Sequence, residues 1–366
     1  MNDFSMYTVR PDGIDAIDLA HCRDAMRVGS KSFYMASCLL PPEIRDATLV
    51  TYAFCRLSDD TVDDLEEGAV GLAAVDVLRL RLDKIYADAP IDHPVDRALA
   101  ATVRHYKVPR DVLDALLEGM AWDAEGRDHE TIEDVIDYSV RVAGSVGMLI
   151  CCIMNRRDAA TLARACDLGI AMQITNICRD VGEDAGRGRI YLPAQWMRDA
   201  GIDSVTWLRR PRHDERLARV IERMLETADE FYQRAETGVT DLPIACRPAI
   251  YMARHCYAEI GQQVRRHHWD SVSRRAVVSS KRKLWMLTRV FGSLMSGRAV
   301  DRSDAVEQAA YLVDSISLPG ARAAAKHRAQ WWRWGHRLEW TIDLFIRLEE
   351  LDRLKQAENT PDRQPV

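Results

Sequence analysis

Carboxylates recur at helical spacing in the stretch CRLSDDTVDDLEEG, which begins at Cys55. On a helix, Asp59 and Asp63 are i, i+4 neighbours with Cβ atoms about 5–6 Å apart, and Arg56 lies on the same face. Such a pair suits a divalent cation, because Mg²⁺ prefers oxygen ligands and keeps positions for water or phosphate. A solvated helix end would give the same pattern, since acidic runs are usually surface features.

A second polar row lies in QITNICRDVGEDAGRGRIYLP, which begins at Gln173. Asn176, Asp180 and Asp184 repeat at i, i+4 and i+8, while apolar residues fill the opposite side of the same helix. Arg187 and Arg189 follow, and guanidinium groups are well suited to phosphate oxygens. We call Asp59 and Asp63 the first acidic row, and Asn176, Asp180 and Asp184 the second. Together the two rows predict a metal-bridged diphosphate site between facing helices.

The elements that must position these rows are helices. Apolar residues recur at a spacing of three to four rather than in alternation, as from Leu113 to Met120 and from Leu217 to Ala228. Pro42 and the Thr131–Asp134 capping-box pattern mark helix starts. The glycines of VAGSVG predict close helix packing, because no strand precedes them as in a nucleotide-binding loop. The fold class is therefore predicted to be all-α.

Composition narrows the class of protein. The chain has 366 residues and a net charge of −6, which gives no reason to expect nucleic-acid binding. Nine scattered cysteines without metal spacing indicate reduced thiols, and the amino terminus lacks the apolar core of a signal peptide. We expect a cytoplasmic protein. The residue pattern does not address its oligomeric state.

Few features of the sequence indicate domain boundaries. The first plausible linker, SGRAVDRSD, begins at Ser296 and predicts one helical domain over residues 1–295. Residues 296–355 are expected to form a helical extension that packs on the core or on a membrane surface. Residues 356–366 have the composition of a disordered tail.

Five motifs in order resemble the squalene/phytoene synthase family of head-to-head prenyl transferases, and within it the bacterial phytoene synthases. The resemblance covers roughly residues 15–295. Its pieces are GSKSFY from Gly29, AFCRLSDDTVDD, YSVRVAGSVG from Tyr138, NICRDVGEDAGRGRIYLP and YMARHCYAEIGQQV from Tyr251.

The resemblance implies an isoprenoid-synthase (terpenoid synthase) helical bundle with a central active-site cavity. It also implies two substrate diphosphates held by Mg²⁺, for which Mn²⁺ can substitute. The implied metal ligands are Asp59, Asp63, Asn176, Asp180 and Asp184. The implied diphosphate-binding residues are Ser30, Ser32, Arg56, Asn176 and Arg189. Tyr138 and Tyr257 would lie near the reacting carbons, and Phe33 would line the cavity. Ser37, one turn beyond Phe33, would leave room for a long prenyl tail.

The implied reaction joins two molecules of geranylgeranyl diphosphate through prephytoene diphosphate to phytoene, the first committed step of carotenoid biosynthesis, without NADPH. Squalene, dehydrosqualene or hydroxysqualene synthesis from farnesyl diphosphate is the alternative within the family. A non-catalytic assembly or binding protein of the same fold is the alternative from another class. Such a protein is expected to have lost one or both acidic rows, and both are intact here.

The segment from about Ala321 to Lys355 carries four tryptophans among basic residues. Its later part repeats apolar residues as an amphipathic helix does, and such a helix needs an apolar partner. The partner could be the protein's own core or another subunit. A membrane surface is the other reading, because tryptophan with arginine or lysine suits the lipid interface. We expect a peripheral contact with the inner membrane through this segment.

Overall fold

The computed structural model of the protein describes residues 13–63, 69–296 and 299–317, and within them the secondary structure is helical, with no strand. The helices are α1 (Ala16–Gly29), α2 (Lys31–Ser37), α3 (Pro42–Asp63), α4 (Ala69–Tyr86), α5 (Pro94–Tyr106), α6 (Arg110–Ala124), α7 (Ile132–Ser139), α8 (Ser145–Ile153), α9 (Ala159–Gly186), α10 (Ala194–Asp199), α11 (Ser204–Arg209), α12 (Glu215–Gly238), α13 (Arg247–Arg266), α14 (Ser280–Ser296) and α15 (Glu307–Ile316). A π-helical turn, Val140–Gly144, joins α7 to α8. The predicted all-α class is confirmed.

The 28-residue helix α9 is the centre of the bundle, and it packs against α8, α12 and α13. Thr175 Oγ1 on α9 lies 3.1 Å from Tyr232 Oη on α12. Arg164, nearer the start of α9, packs against Gly238 at the end of α12. The two helices therefore run antiparallel.

Local signals in the sequence account for the helix bounds. Helix α3 begins at Pro42, as predicted. Helix α7 begins with the predicted capping box, in which Asp134 N donates to Thr131 Oγ1 (3.2 Å) and Thr131 N donates to Asp134 Oδ2 (2.9 Å). The predicted apolar stripes of α6 and α12 are both buried.

Glycines allow the π-helical turn and α8 to lie directly on α9. A Cβ at Gly147 would lie 2.4 Å from the Ala165 carbonyl oxygen, and one at Gly169 would lie 2.4 Å from that of Ala143. A Cβ at Gly144 would lie 2.6 Å from the sulfur of Cys166. The prediction that Gly144 and Gly147 serve close helix packing is confirmed.

Within the described ranges, one continuous helical stretch, Ile132–Ile153, is long and apolar enough by composition to span a bilayer. Its most apolar part is 56% buried inside the protein. The stretch packs against α6 and α9 and lines a cavity, so its apolar character is explained by the core.

The described part of the predicted extension packs on the core. Helix α15 buries Ala309, Leu312, Val313 and Ile316, and it contacts α6, α7 and α9. The predicted long helix from Ala321 to Lys355 and the predicted tail lie outside the described residues.

Candidate active site

A central cavity of about 340 Å³ lies between α2, α3, α8, α9, α12 and α13. Most of its wall is apolar, from residues such as Leu40, Ile150 and Leu168. Asp59 of the first acidic row and Asn176 of the second both line it. The two rows thus meet the same cavity, from α3 on one side and α9 on the other.

The first acidic row lies at the carboxyl end of α3. Asp59 is exposed. Arg56 forms an ion pair with Asp60 (2.6 Å), and both side chains are about half exposed. Asp63 is the last residue of α3, and its side chain lies outside the described part of the structure. Arg56 is therefore beside the row, as its spacing predicts, with an acidic partner already on its guanidinium group.

The second acidic row lies on α9 and is more enclosed. Arg179 Nε donates to Asp180 Oδ1 (2.8 Å), and Arg275 Nε donates to the same oxygen (2.8 Å). Burial alone would raise the pKa of Asp180, but the hydrogen bonds from Arg179 and Arg275 outweigh it and lower that pKa. Asp180 is therefore held in its charged form.

Asp184, one turn further along α9, behaves oppositely. Burial, together with the negative charges of Asp180 and Glu183, raises the pKa of its carboxyl group to about 7. The carboxylate of Asp123 on α6 acts in the same direction. Negative charge is therefore crowded at this end of α9, which is the environment that a bound cation would relieve.

The donor set fits a hydrated divalent cation. Asn176 Oδ1 is buried and has no hydrogen-bond partner within the described ranges. No group of three or more His, Cys, Asp or Glu side chains among the described residues is placed to hold a metal ion alone. The protein would therefore share the coordination shell with water and substrate phosphate oxygens, as Mg²⁺ sites usually do. Carboxylates with an unsatisfied amide oxygen supply the hard ligands that such an ion requires.

Tyr138 lies in a cluster that the sequence did not predict. Its hydroxyl donates to Asp123 Oδ2 (2.8 Å), and the Tyr191 hydroxyl donates to Asp123 Oδ1 (2.8 Å). The two rings stack at 5.3 Å, and His129 packs against both. Burial raises the pKa of Tyr138, and the Asp123 carboxylate adds to the rise, so the phenol stays protonated as a donor. Through Asp123, Tyr138 adjoins the Asp184 end of α9 and does not line the cavity.

Tyr257 and residues of α2 form another part of the wall of the central cavity. The ring of Tyr257 lies 4.9 Å from that of Phe33, and both line the cavity. Ser30 is the amino-terminal cap of α2, where its Oγ accepts from Phe33 N (3.3 Å). Ser37 is buried, lines the cavity and donates to the Tyr34 carbonyl (2.7 Å). Ser32 is partly buried and does not line the cavity.

The turn after α9 brings its two arginines towards the second row. Arg187 N and Arg189 N both donate to the Asp184 carbonyl (2.9 Å each), and Gly188 takes φ +81°, which favours glycine. The Arg189 side chain is partly buried, and its charge lowers the pKa of Tyr191 against the larger effect of burial. Arg189 therefore lies beside the tyrosine cluster.

Sequence reasoning missed Asp123, Arg179, Tyr191 and Arg275. Tyr191 and Arg179 lie inside QITNICRDVGEDAGRGRIYLP, so their closeness in sequence to the second acidic row could have identified them. Asp123 is one of several acids on α6, and no spacing in that helix distinguishes it from the others.

Comparison with known proteins supports the assignment of this chain to a protein family. A model of the squalene/phytoene synthase family matches residues 26–283. The chain is 45% identical over 352 residues to the phytoene synthase of Cereibacter sphaeroides, covering 93% of this chain and 96% of that protein. It is 49% identical over 282 residues to the phytoene synthase of Rhodobacter capsulatus, covering 77% and 82%.

Solved structures agree. A dehydrosqualene synthase in complex with ligand superposes with a TM-score of 0.71 and 30% identity, covering 81% of this chain and all of that one (100%). A squalene synthase from Alicyclobacillus acidocaldarius gives 0.63 and 25%, covering 69% and 94%. The predicted isoprenoid-synthase bundle is confirmed, and the chain belongs to the squalene/phytoene synthase family.

Proposed function

We propose that the protein is a prenyltransferase that condenses two geranylgeranyl diphosphates head to head, through prephytoene diphosphate, to phytoene. The observation that carries the proposal is an apolar cavity that meets both acidic rows, Asp59 from α3 and Asn176 from α9. Phytoene synthases at 45% and 49% identity support this product over the alternatives. The reaction would be the first committed step of carotenoid biosynthesis.

The polar end of the cavity would bind the diphosphates. Asp59, Asp63, Asn176, Asp180 and Asp184 would hold magnesium. When bound, magnesium supplies positive charge that stabilises the diphosphate as it leaves. Arg56 and Arg189 are assigned to phosphate oxygens, with Ser30 and Ser32 at the start of α2. Arg179 and Arg275 orient the Asp180 carboxylate through their hydrogen bonds.

The apolar walls would protect the carbocation. Water must be excluded from an allylic cation, and a wall of aliphatic side chains does so. The faces of Phe33 and Tyr257 can stabilise positive charge by about 0.5–2 kcal/mol each. Tyr257 lies close enough to Arg179 for that charge to lower its pKa against burial, so its ring bridges the cavity and the second row.

The product assignment is tested in one assay. The protein is incubated with Mg²⁺ and either farnesyl or geranylgeranyl diphosphate, with and without NADPH, and the lipid products are identified. Phytoene from geranylgeranyl diphosphate without NADPH is expected, and Mn²⁺ should support the same product. Squalene made from farnesyl diphosphate only with NADPH, or dehydrosqualene or hydroxysqualene from the same substrate, would overturn the assignment. No product from either substrate would favour a non-catalytic binding protein.

A second proposal concerns location, which we place in the cytoplasm at the inner membrane surface. Helix α14 buries Met286 and Val290 against the core but exposes Phe291 (69%) and Met295 (75%). Trp285 is also exposed, and Arg282 lies 4.4 Å from the centroid of its ring. An apolar face beside basic residues suits anionic lipid, and the product is soluble in lipid rather than water.

The membrane proposal is tested by co-sedimentation with liposomes that contain phosphatidylglycerol. The double variant Trp285→Ser/Phe291→Ser should lose most of the bound fraction. The control Val28→Ser/Val205→Ser removes two exposed apolar side chains from α1 and α11 and should leave binding unchanged. Equal binding of both double variants would exclude α14. Truncation after Arg322 then tests the tryptophan segment in the same assay.

A further inference from the structure

The cavity continues far from the acidic rows, and a buried arginine lines this distant part of it. Asn176 and Arg164 both line the cavity, and both are on α9. Twelve residues of helix separate them, which corresponds to about 18 Å along the axis. Arg164 is 1% exposed. A charged side chain in the wall of a hydrocarbon-binding cavity requires an explanation, because burying charge is costly unless it is paired.

Every charge partner of Arg164 lies away from the acidic rows. Its guanidinium group forms ion pairs with Asp167 on α9 (2.8 Å) and with Asp301 (2.7 Å). It also donates to Ser303 Oγ (2.9 Å) and to the Asp304 carbonyl (3.3 Å). The head of Arg164 is thus fixed to the segment 301–304, which precedes α15.

Two further contacts hold this segment in place. Asp301 N donates to Thr237 Oγ1 on α12 (3.0 Å). Arg234, also on α12, donates to Asp167 Oδ2 (3.1 Å) and to the Asp304 carbonyl (3.4 Å). The segment is therefore tied to α9 and α12 at the same point, close to where both helices line the cavity.

The stem of Arg164 packs closely against α12 on one side. A Cβ at Gly238 would lie 2.3 Å from Arg164 Cβ and 2.8 Å from its Cγ. Displacing the side chain would strand Asp167, which is also 1% exposed, with one cation fewer. Breaking a buried ion pair on one side is strongly destabilising. A prenyl tail that reaches this point therefore meets a wall that resists displacement.

We propose that Arg164, anchored by the segment 301–304, is the end wall of the cavity and sets the longest prenyl tail that the protein accepts. This rests on the proposed function, because a tail-length limit has meaning only for a prenyl diphosphate substrate. Arg164 is a specificity-determining residue here and takes no part in ionising the substrate. The segment 301–304 lies beyond residues 26–283, the part of the chain that the family model matches.

The test compares substrates of different tail length. The ratio of kcat/KM for the twenty-five-carbon geranylfarnesyl diphosphate to that for geranylgeranyl diphosphate is measured in the full-length protein. Arg164→Ala should raise this ratio at least about tenfold, because it opens space for additional carbons. Asp301→Ala loosens the anchor without altering the wall and should raise the ratio at least about threefold.

Arg254→Ala is the matched control. Arg254 pairs with Glu236 (3.0 Å), has a side chain that is 15% exposed and does not line the cavity, so its loss should leave the ratio unchanged. An unchanged ratio in Arg164→Ala, or an equal rise in Arg254→Ala, would overturn the proposal. If Arg164→Ala does not fold, Asp301→Ala decides, since Asp301 is 36% exposed and its removal leaves the core intact. Wild-type protein that makes no phytoene would instead refute the proposed function.

Discussion

The two acidic rows share one spacing but differ in electrostatic surroundings. The first row ends α3, where Asp59 is exposed and the neighbouring Arg56–Asp60 pair is about half exposed. The second row is enclosed on α9, where burial and like charges raise the pKa of Asp184 to about 7. In the second row, Arg179 and Arg275 both donate to the Asp180 carboxylate. Identical i, i+4 spacing therefore specifies which groups can share a ligand and leaves their charge state to the tertiary structure.

The difference in exposure suggests that the two rows have different roles in binding. The enclosed row is preorganised: its carboxylates already experience the low-dielectric environment in which a cation binds most strongly. The open row presents the exposed carboxylate of Asp59 to an incoming hydrated cation. A site that must admit two bulky diphosphates and then close around them benefits from one fixed side and one accessible side.

The largest expected effect is a loss of activity, and it should be the same for both rows. Asp59→Asn and Asp180→Asn should each lower kcat/KM for geranylgeranyl diphosphate by at least about a hundredfold, because each removes charge that would hold the cation. The control is Asp76→Asn, an exposed acid on α4 paired with Arg79, which should keep full activity. Near wild-type turnover of either row variant at saturating Mg²⁺ would remove that row from the site.

The two rows should differ in how much each contributes to the free energy of unfolding. Asp180→Ala leaves Arg179, whose side chain is 18% exposed, without its partner and should lower the free energy of unfolding by about 1–3 kcal/mol. Asp59→Ala removes an exposed side chain and should change it by less than about 0.5 kcal/mol. Urea denaturation without metal measures both. Equal losses would show that the contrast in enclosure has no energetic consequence.

Much of this site follows from local pattern. Helical spacing predicts which side of α9 carries Asn176, Asp180 and Asp184, because a single helix determines it. The cap at Thr131 and the start of α3 at Pro42 depend on adjacent residues and were likewise predictable.

Other parts of the site depend on contacts between distant elements. Asp123 meets Tyr138 and Tyr191 across separations of 15 and 68 residues, and Arg275 meets Asp180 across 95. The periodicity of a single helix gives no information about contacts between residues so far apart in the sequence. The resemblance implies that Tyr138 lies near the reacting carbons, and the structure adds its hydrogen bond to Asp123.

The tyrosine cluster provides the next test. Tyr138→Phe and Tyr191→Phe each remove one of two equal hydrogen bonds to Asp123, so a purely supporting role predicts equal losses. We expect Tyr138→Phe to lower kcat about tenfold, and more than Tyr191→Phe does, because the resemblance implies a role for Tyr138 near the reacting carbons. KM should change little in either variant. Equal losses in kcat would assign Tyr138 to supporting Asp123 alone.

The smallest effect concerns the charge of His129, which packs against both tyrosines of the cluster. Burial lowers the pKa of His129 to about 4, and its Nδ1 has no hydrogen-bond partner within the described ranges. The folded protein therefore holds its imidazole neutral. The unfolded chain takes up a proton near pH 6.5, so stability is fully present above that pH and falls as the pH drops towards about 4.

From these values the His129 contribution should make the protein about 1 kcal/mol less stable at about pH 5.5 than at pH 7. His129→Gln cannot titrate and should lose that part of the pH dependence, while the slope from other groups remains. Urea midpoints of both proteins across this range measure the difference. Parallel curves would mean that the pKa of His129 is the same in the folded and the unfolded protein, so that burial does not hold the imidazole neutral.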